Sequence, residues 1–372
     1  MSIEIIEVTT KRQLRQFIHL PEKINKGYAN WLPPVYVDEW KFFNPKKNKA
    51  FSLSDTTLVM ALKDGIPAGR IMGIIHKKYN ELHQERHGRF GYLECFNDPD
   101  VAHALLSYIE DWAREKGMNR IIGPYGFSDK DPQGFLIEGF GHMPILDSAC
   151  NQPYMIALIT REGYTKEIDC RIYKMDISND LPEIYSRIAQ RLEQKEEYQI
   201  LEFTKRAKLR PYIVPVLRLL NDTYDELYGF VPMTDEEIND FADRYMPIID
   251  PRFVKVIEKD GVMLGFLVGM PNITKGIQKS GGYLFPFGIF NIMSSAKHTD
   301  QLDLMLGAVK KEYRGRGFEV AMGIRIIESA RQAGFKHMEV HVVLETNTRM
   351  IAEMERLNIA VHKRFRVYQK SL

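Results

Sequence analysis

Residues 302–334 read as three consecutive pieces, LDLMLGAV, KKEYRGRG and FEVAMGIRIIESARQAG, and their order sets the fold. Leu302 to Val309 is an apolar run of strand length. Lys310 to Gly317 is a polar turn with two glycines, and from Phe318 the apolar residues recur at helical spacing until the stop at Gly334. A strand that turns on glycines into a helix leaves backbone N–H groups converging at the helix N-terminus. Unpaired donors and the macrodipole there favour an anion such as phosphate. Arg314 and Arg316 add forked cations suited to phosphate oxygens. Taken alone, the same residues also read as an ordinary solvated strand-to-helix turn.

Working outward, the chain repeats itself. Asp64-Gly65 and Asp260-Gly261 each sit between alternating apolar residues, at 57–75 and 253–269, and Asp-Gly in that setting signals a tight hairpin. Each half then carries an amphipathic helix that stops at a glycine and leads into a strand: 104–116, Gly117 and 120–125; then 320–333, Gly334 and 337–344. Each half closes with a short helix and a Tyr-bearing strand, 167–175 and 360–369. From Gly65 to Tyr173 is 108 positions and from Gly261 to Tyr368 is 107. The extra residues fall at 128–151 in the first copy and 271–300 in the second. Two copies of one fold with differently placed insertions account for this. The expected boundary lies near residue 178, giving units 1–178 and 179–372, with a helix over 180–199 as the join. Hairpins combined with a strand-helix-strand crossover predict an α/β class, a mixed sheet with helices on its faces.

Composition agrees with two folded units. The chain has 372 residues, about twice the usual 150 or so of a domain. Fifty-one basic and 49 acidic side chains leave a net charge of +2, which argues against a protein that lives by gripping nucleic acid. Three scattered cysteines offer no disulfide framework and no Cys-based metal site. With no basic leader and no apolar run of membrane-spanning length, the expectation is a cytoplasmic protein without metal or membrane partner.

The segment Val309-Lys310-Lys311-Glu312-Tyr313-Arg314-Gly315-Arg316-Gly317 resembles the pyrophosphate loop of the GNAT superfamily, the acyl-CoA-dependent N-acyltransferases. Downstream, the strand MEVHVVL, then Glu345-Thr346-Asn347 and the helix TRMIAEMERL, are similar to the family segment whose Asn faces the pantetheine arm. The resemblance covers 200–372 well and extends to 3–176 through the repeat, so the chain looks like a tandem GNAT protein. It implies acetyl-CoA or another acyl-CoA as donor and an amine of a small molecule or peptide as acceptor. The cofactor contacts implied are the backbone of Ala308 and Val309, then Arg314, Gly315, Arg316, Gly317, Phe318, Glu319 and Asn347.

The chain departs from the family in three places. Glu319 stands where the loop usually ends in Gly or Ala, and its carboxylate would compete with a pyrophosphate unless it turns outward. The family's general-acid Tyr falls at Met354, and at Ile159 in the first copy. The first copy has Asn97-Asp98-Pro99-Asp100 in place of a glycine loop, which reads as a helix cap rather than a cofactor site.

Acyl transfer to an amine needs a base for the amine proton, donors for the oxyanion and an acid for the thiolate. Asp303, six residues before Val309, resembles a position where some family members carry a catalytic carboxylate; its alternative is a plain strand-end Asp. His341 shares a strand face with Glu339, and is either a base or a hydrogen-bonded structural histidine. Tyr368 is the remaining candidate acid, or a core tyrosine with its hydroxyl at an edge. The insertions, read as loops mounted on a rigid scaffold, should carry specificity, and the aromatic run YLFPFGIF at 283–290 is expected as a plug packed between the halves. Three functions stay open: an N-acyltransferase, a non-catalytic ligand-binding protein of the same fold, and an aminoacyl-tRNA-dependent transferase.

Overall fold

A computed structural model describes residues 2–146, 148–194, 198–246 and 248–372. The first half runs β1 (Ile3–Glu7), α1 (Lys11–Ile24), α2 (Tyr36–Phe42), β2 (Ser54–Lys63), β3 (Ile66–His76), α3 (Lys77–His83), β4 (His87–Cys95), α4 (Pro99–Glu115), β5 (Arg120–Gly123), β6 (Phe135–Glu138), α5 (Tyr154–Arg161) and β7 (Thr165–Asp176). The second runs α6 (Glu183–Glu193), β8 (Gln199–Glu202), α7 (Arg206–Thr223), α8 (Asp235–Tyr245), β9 (Val254–Lys259), β10 (Val262–Pro271), α9 (Thr274–Lys279), α10 (Gly288–His298), β11 (Gln301–Val309), α11 (Phe318–Gln332), β12 (His337–Leu344), α12 (Thr348–Arg356) and β13 (Val361–Ser371). The helix expected over 180–199 is thus shorter, with β8 starting at Gln199; residues 195–197 lie outside the described ones.

Local chemistry fixes the hairpins. Asp64 and Gly65 have φ of 50° and 79°, Asp260 and Gly261 of 52° and 76°, the positive values that a type I′ turn requires at both central positions. Asp98 caps α4 by accepting the N–H groups of Asp100 and Val101, with Pro99 in the first turn, as the sequence predicts.

All described strands join one sheet, in the order β1-β2-β3-β4-β5-β13-β7-β12-β11-β10-β9-β8, with β6 beside β13. The halves exchange their closing strands: β7 lies antiparallel against β12, and β13 against β5, while β7 and β13 pair with each other at the centre. Across that central pair Arg366 grips Asp169 with two bonds of 2.7 and 2.9 Å. Both faces of the sheet are covered. On the second half, α11 buries Phe318, Ala321, Met322, Ile326, Ile327 and Ala330, and each large apolar side chain removed from water contributes about 1.5–3 kcal/mol. Helix α7 covers the opposite face through Leu209, Val216, Leu219 and Leu220 against Val256, Phe266 and Val268.

The second insertion differs from its expectation. It folds as the helix pair α9 and α10 instead of a loop, and its aromatic run is no plug: Phe285, Phe287 and Phe290 stand on the surface.

Candidate functional site

Strands β11 and β12 run parallel and pair only from Gln301–His337 to Leu304–Val340. Beyond that point they part, and both are irregular where they do. Met305 bulges out of the β10–β11 register, between Leu304 opposite Gly269 and Leu306 opposite Val268. His341 and Val342 bulge out of the β12–β7 register, between Val340 opposite Tyr173 and Val343 opposite Arg171, and Val342 has φ of 33°. A bulge adds a residue and bends its strand, so the two bulges open a fork in the sheet. The stretch of β11 beyond the fork, including Ala308 and Val309, keeps β10 on one edge and has no β12 partner on the other.

The glycine loop stands at the end of that free stretch. Gly315 and Gly317 take φ of 74° and 92°. Gly317 is the N-cap of α11 and has no capping side chain. The first bond into the helix is from Ala321 N–H to the Gly317 carbonyl at 3.0 Å, so the amides of Phe318, Glu319 and Val320 have no partner within the helix. Phe318 is buried against Tyr198 and Tyr313, ring centres 4.9 and 5.9 Å apart, and anchors the helix end. Glu319 is exposed. The two arginines divide. Arg314 donates Nε to the Val309 carbonyl at 3.2 Å and Nη2 to the Thr223 carbonyl at 2.9 Å, tying the loop to α7. Arg316 is exposed, its guanidinium 5.0 Å from the Tyr313 ring centre.

On the opposite face from α11, the base of the fork holds a buried polar network. Asp303 accepts from Gln301 Nε2 and Asn272 Nδ2, both at 2.8 Å. Gln301 also donates to Glu339 at 3.1 Å, and Glu339 is paired with Lys363 at 2.6 Å. Asp303, Glu339 and Lys363 are each at most 2% exposed. Burial and the neighbouring Glu339 push the Asp303 carboxyl up to about 7, against the amide bonds that lower it. His341 is lowered to about 4 by burial and by Lys363, and among the described residues its Nδ1 has no hydrogen-bond partner. Gln301, Glu339 and Asn272 also line a cleft of about 500 Å³, whose other walls are α9, α10, Lys174, His142 and His362. The two histidine rings lie 4.0 Å apart, and burial, then Lys363, lowers His362.

Asp303 therefore meets Glu339 at the base of the fork, beside residues that the sequence reading did not assemble, Asn272, Gln301 and Lys363, while His341 lies two residues beyond Glu339 in the β12 bulge. A signal for Lys363 existed, since it alternates with Phe365 and Val367 as an inward-facing position. Tyr368 is not brought to them. It pairs with Gly123 of β5 and packs on Phe135 in the first half's core, where burial raises its hydroxyl. Asn347 caps α12, accepting Met350 N–H at 3.2 Å. In the first half the equivalent fork, between β4 and β5, is bridged: Tyr125 N–H donates to the Phe90 carbonyl at 2.8 Å, and the Tyr125 ring is fully buried.

Among the described residues, no group of three or more His, Cys, Asp or Glu is arranged to hold a metal ion, and no helix is long and apolar enough to cross a membrane. No model of a known protein family matches the chain. It is 29% identical over 377 residues to a protein named bacterial ceramide synthase from Caulobacter vibrioides, covering 100% of this chain and 98% of that one. It is 27% identical over 374 residues to protein YghO of Escherichia coli, covering 97% and 94%. Among solved structures, a tandem GNAT protein from the clavulanic acid biosynthesis pathway superposes over 100% of this chain and 98% of its own, with a TM-score of 0.56 at 13% identity. A GCN5-related N-acetyltransferase from Sphaerobacter thermophilus does so over 99% and 95%, with a TM-score of 0.51 at 11% identity. With its repeat, its forked sheet and its glycine loop, the chain has the fold of a tandem GNAT protein.

Proposed function

We propose that this protein is an N-acyltransferase that moves an acyl group from an acyl-CoA thioester to the amine of a long-chain amino alcohol or a related lipid-like amine. The observation that carries the reading is the fork between β11 and β12, with free amides of a helix N-terminus at one end and a buried carboxyl poised near neutrality at the other. The relative named for ceramide synthesis, alike over its whole length, supports the acceptor class, since a ceramide is the fatty amide of such an amine.

In this reading the amides of Phe318 to Val320, with Arg316, hold the donor's pyrophosphate, and Arg314 stiffens the loop through its two carbonyl contacts. The edge of Ala308 and Val309 that β12 leaves open lies along the pantetheine arm. The acceptor amine enters by the cleft at Gln301 and Glu339 and attacks the thioester carbonyl; Asp303 takes the amine proton as the C–N bond forms, and the C–S bond breaks with coenzyme A leaving as its thiolate, which takes up a proton from solvent. A carboxyl near 7 suits that role, because it is deprotonated in a useful fraction yet basic enough to receive a proton. Lys363 holds Glu339 in place and keeps cationic charge beside the developing oxyanion. The bridged fork of the first half leaves one donor site per chain.

The test is direct. The full chain is incubated with acetyl-CoA or palmitoyl-CoA and with sphinganine or a short amino alcohol, while released thiol and amide mass are followed. Amide formed from palmitoyl-CoA and sphinganine supports the reading. Acyl-CoA binding without any amide product would favour the non-catalytic ligand-binding protein.

A further inference from the structure

Among the described residues, six of the thirteen exposed large hydrophobic side chains fall within 272–299: Tyr283, Phe285, Phe287, Ile289, Phe290 and Met293. Helices α9 and α10 pack by their inner sides, Ile273, Ile277, Ile292 and Ala296, on Leu32, Val35 and Met305. The base of the insertion is fastened to the first half: Gln278 Nε2 donates to the carbonyls of Ala29 and Trp31 at 2.8 and 3.0 Å, and the Tyr283 hydroxyl donates to Glu22 at 2.8 Å. The other side is left uncovered by the described residues. Phe285 is 73% exposed, Phe287 71%, Phe290 67% and Met293 53%. Side chains of this size gain by leaving water, and a contiguous exposed group of them marks an interaction surface.

Charge identifies the partner. From 272 to 299 there is no Asp or Glu, while Lys275, Lys279 and Lys297 are all exposed. The nearby carboxylate of Glu22 is engaged by Tyr283 and by His19 at 3.1 Å. Exposed phenyl rings on a segment that carries lysines and no carboxylate match a bilayer whose headgroups are anionic: the rings enter the boundary of the acyl chains and the ammonium groups meet phosphate. A second copy of the chain fits poorly, since a twofold contact through this patch sets lysines against lysines.

We infer that the α9–α10 insertion docks the protein on an anionic phospholipid surface, with Phe285, Phe287 and Phe290 entering the membrane interface and Lys275, Lys279 and Lys297 contacting phosphates. This departs from the sequence expectation of no membrane partner because the aromatic run is outside, not between the halves. The same two helices wall the cleft that ends at Gln301 and Glu339. Docking therefore brings the cleft mouth to the membrane, where a lipid amine is found; that last step rests on the proposed acyl transfer, and the docking does not.

Vesicle flotation of the full chain tests it, using vesicles of two parts phosphatidylcholine to one part phosphatidylglycerol and vesicles of phosphatidylcholine alone. The wild type should float with the mixed vesicles and only weakly with the neutral ones. The double variant Phe285→Ser/Phe290→Ser should lose about tenfold or more of that binding, with its melting temperature unchanged because both rings are already exposed. Lys275→Glu/Lys279→Glu should lose the preference for anionic lipid. A wild type that stays unbound, or a Phe variant that floats equally well, overturns the proposal. So does sedimentation showing a dimer that Phe285→Ser/Phe290→Ser dissolves while no form floats. Vesicle binding needs no turnover, so failure of the transferase reading leaves this result standing.

Discussion

Asp303 is held by two side-chain amides, while its neighbour Glu339 takes Lys363. If it accepts the amine proton, its ionised form is the active one. Below pH 7 kcat/KM should then rise about tenfold per pH unit and level off above it, and Asp303→Asn should remove that rise and lower the rate by roughly 10²–10⁴. A pH–rate profile of both proteins checks this. Stability moves differently. A raised carboxyl means that the folded chain holds its proton more tightly, so the contribution of Asp303 is present at low pH and fades as pH rises through about 7. His341 and His362 are lowered from 6.5 to about 4 and 3, so the unfolded chain protonates first and stability falls as pH drops below about 6.5. Replacing His341 with Gln should flatten that acid loss, as read from melting temperatures between pH 4.5 and 7. The arginines separate as well: Arg316→Ala should weaken coenzyme A binding with little effect on melting, whereas Arg314→Ala should lower stability by about 1 kcal/mol through the two carbonyls it leaves.

At the scale of elements, the loop and helix α11 depend on helix α6. A Cβ at Gly317 would lie 2.6 Å from Ile188 Cγ2, and its φ of 92° is costly for any other residue. Gly317→Ala should therefore destabilise by roughly 1–3 kcal/mol and loosen donor binding together, which thermal melts and titration can read side by side. Glu319→Gly differs, since that carboxylate is already exposed: it should cost up to about 1 kcal/mol of helix stability and leave affinity nearly unchanged. These elements were legible in the sequence because their signals are local. Asp-Gly turns, the Asp98 cap and the strand at 337–344 need only neighbours a few residues apart. The fork was not legible in that way. Its bulges at Met305 and at His341–Val342 arise from mismatched registers with β10 and β7, and β7 comes from the other half. The helical insertion was missed for a related reason: the polar positions of α9 and α10 face a cleft, and their apolar ones are split between core and surface.

Over the whole molecule, the exchange of β7 and β13 makes each half incomplete without the other. The paired lengths of the repeat revealed two copies, but pairing between distant strands leaves no periodic trace, so the exchange was invisible and so was the distance of Tyr368 from the cleft. Residues 1–178 alone would lack β13, exposing an edge of β5 and leaving Asp169 without its bidentate partner Arg366. That fragment should aggregate or melt far below the intact chain, which should unfold in one cooperative transition. The central claim is that the second fork, and not the first, receives an acyl-CoA. Calorimetric titration of the full chain with palmitoyl-CoA below its micellar concentration, repeated with Arg316→Ala, measures this. The account predicts one site per chain and clearly weaker binding in the variant; two equal sites, indifference to Arg316→Ala, or no binding of any acyl-CoA at millimolar concentration would contradict it.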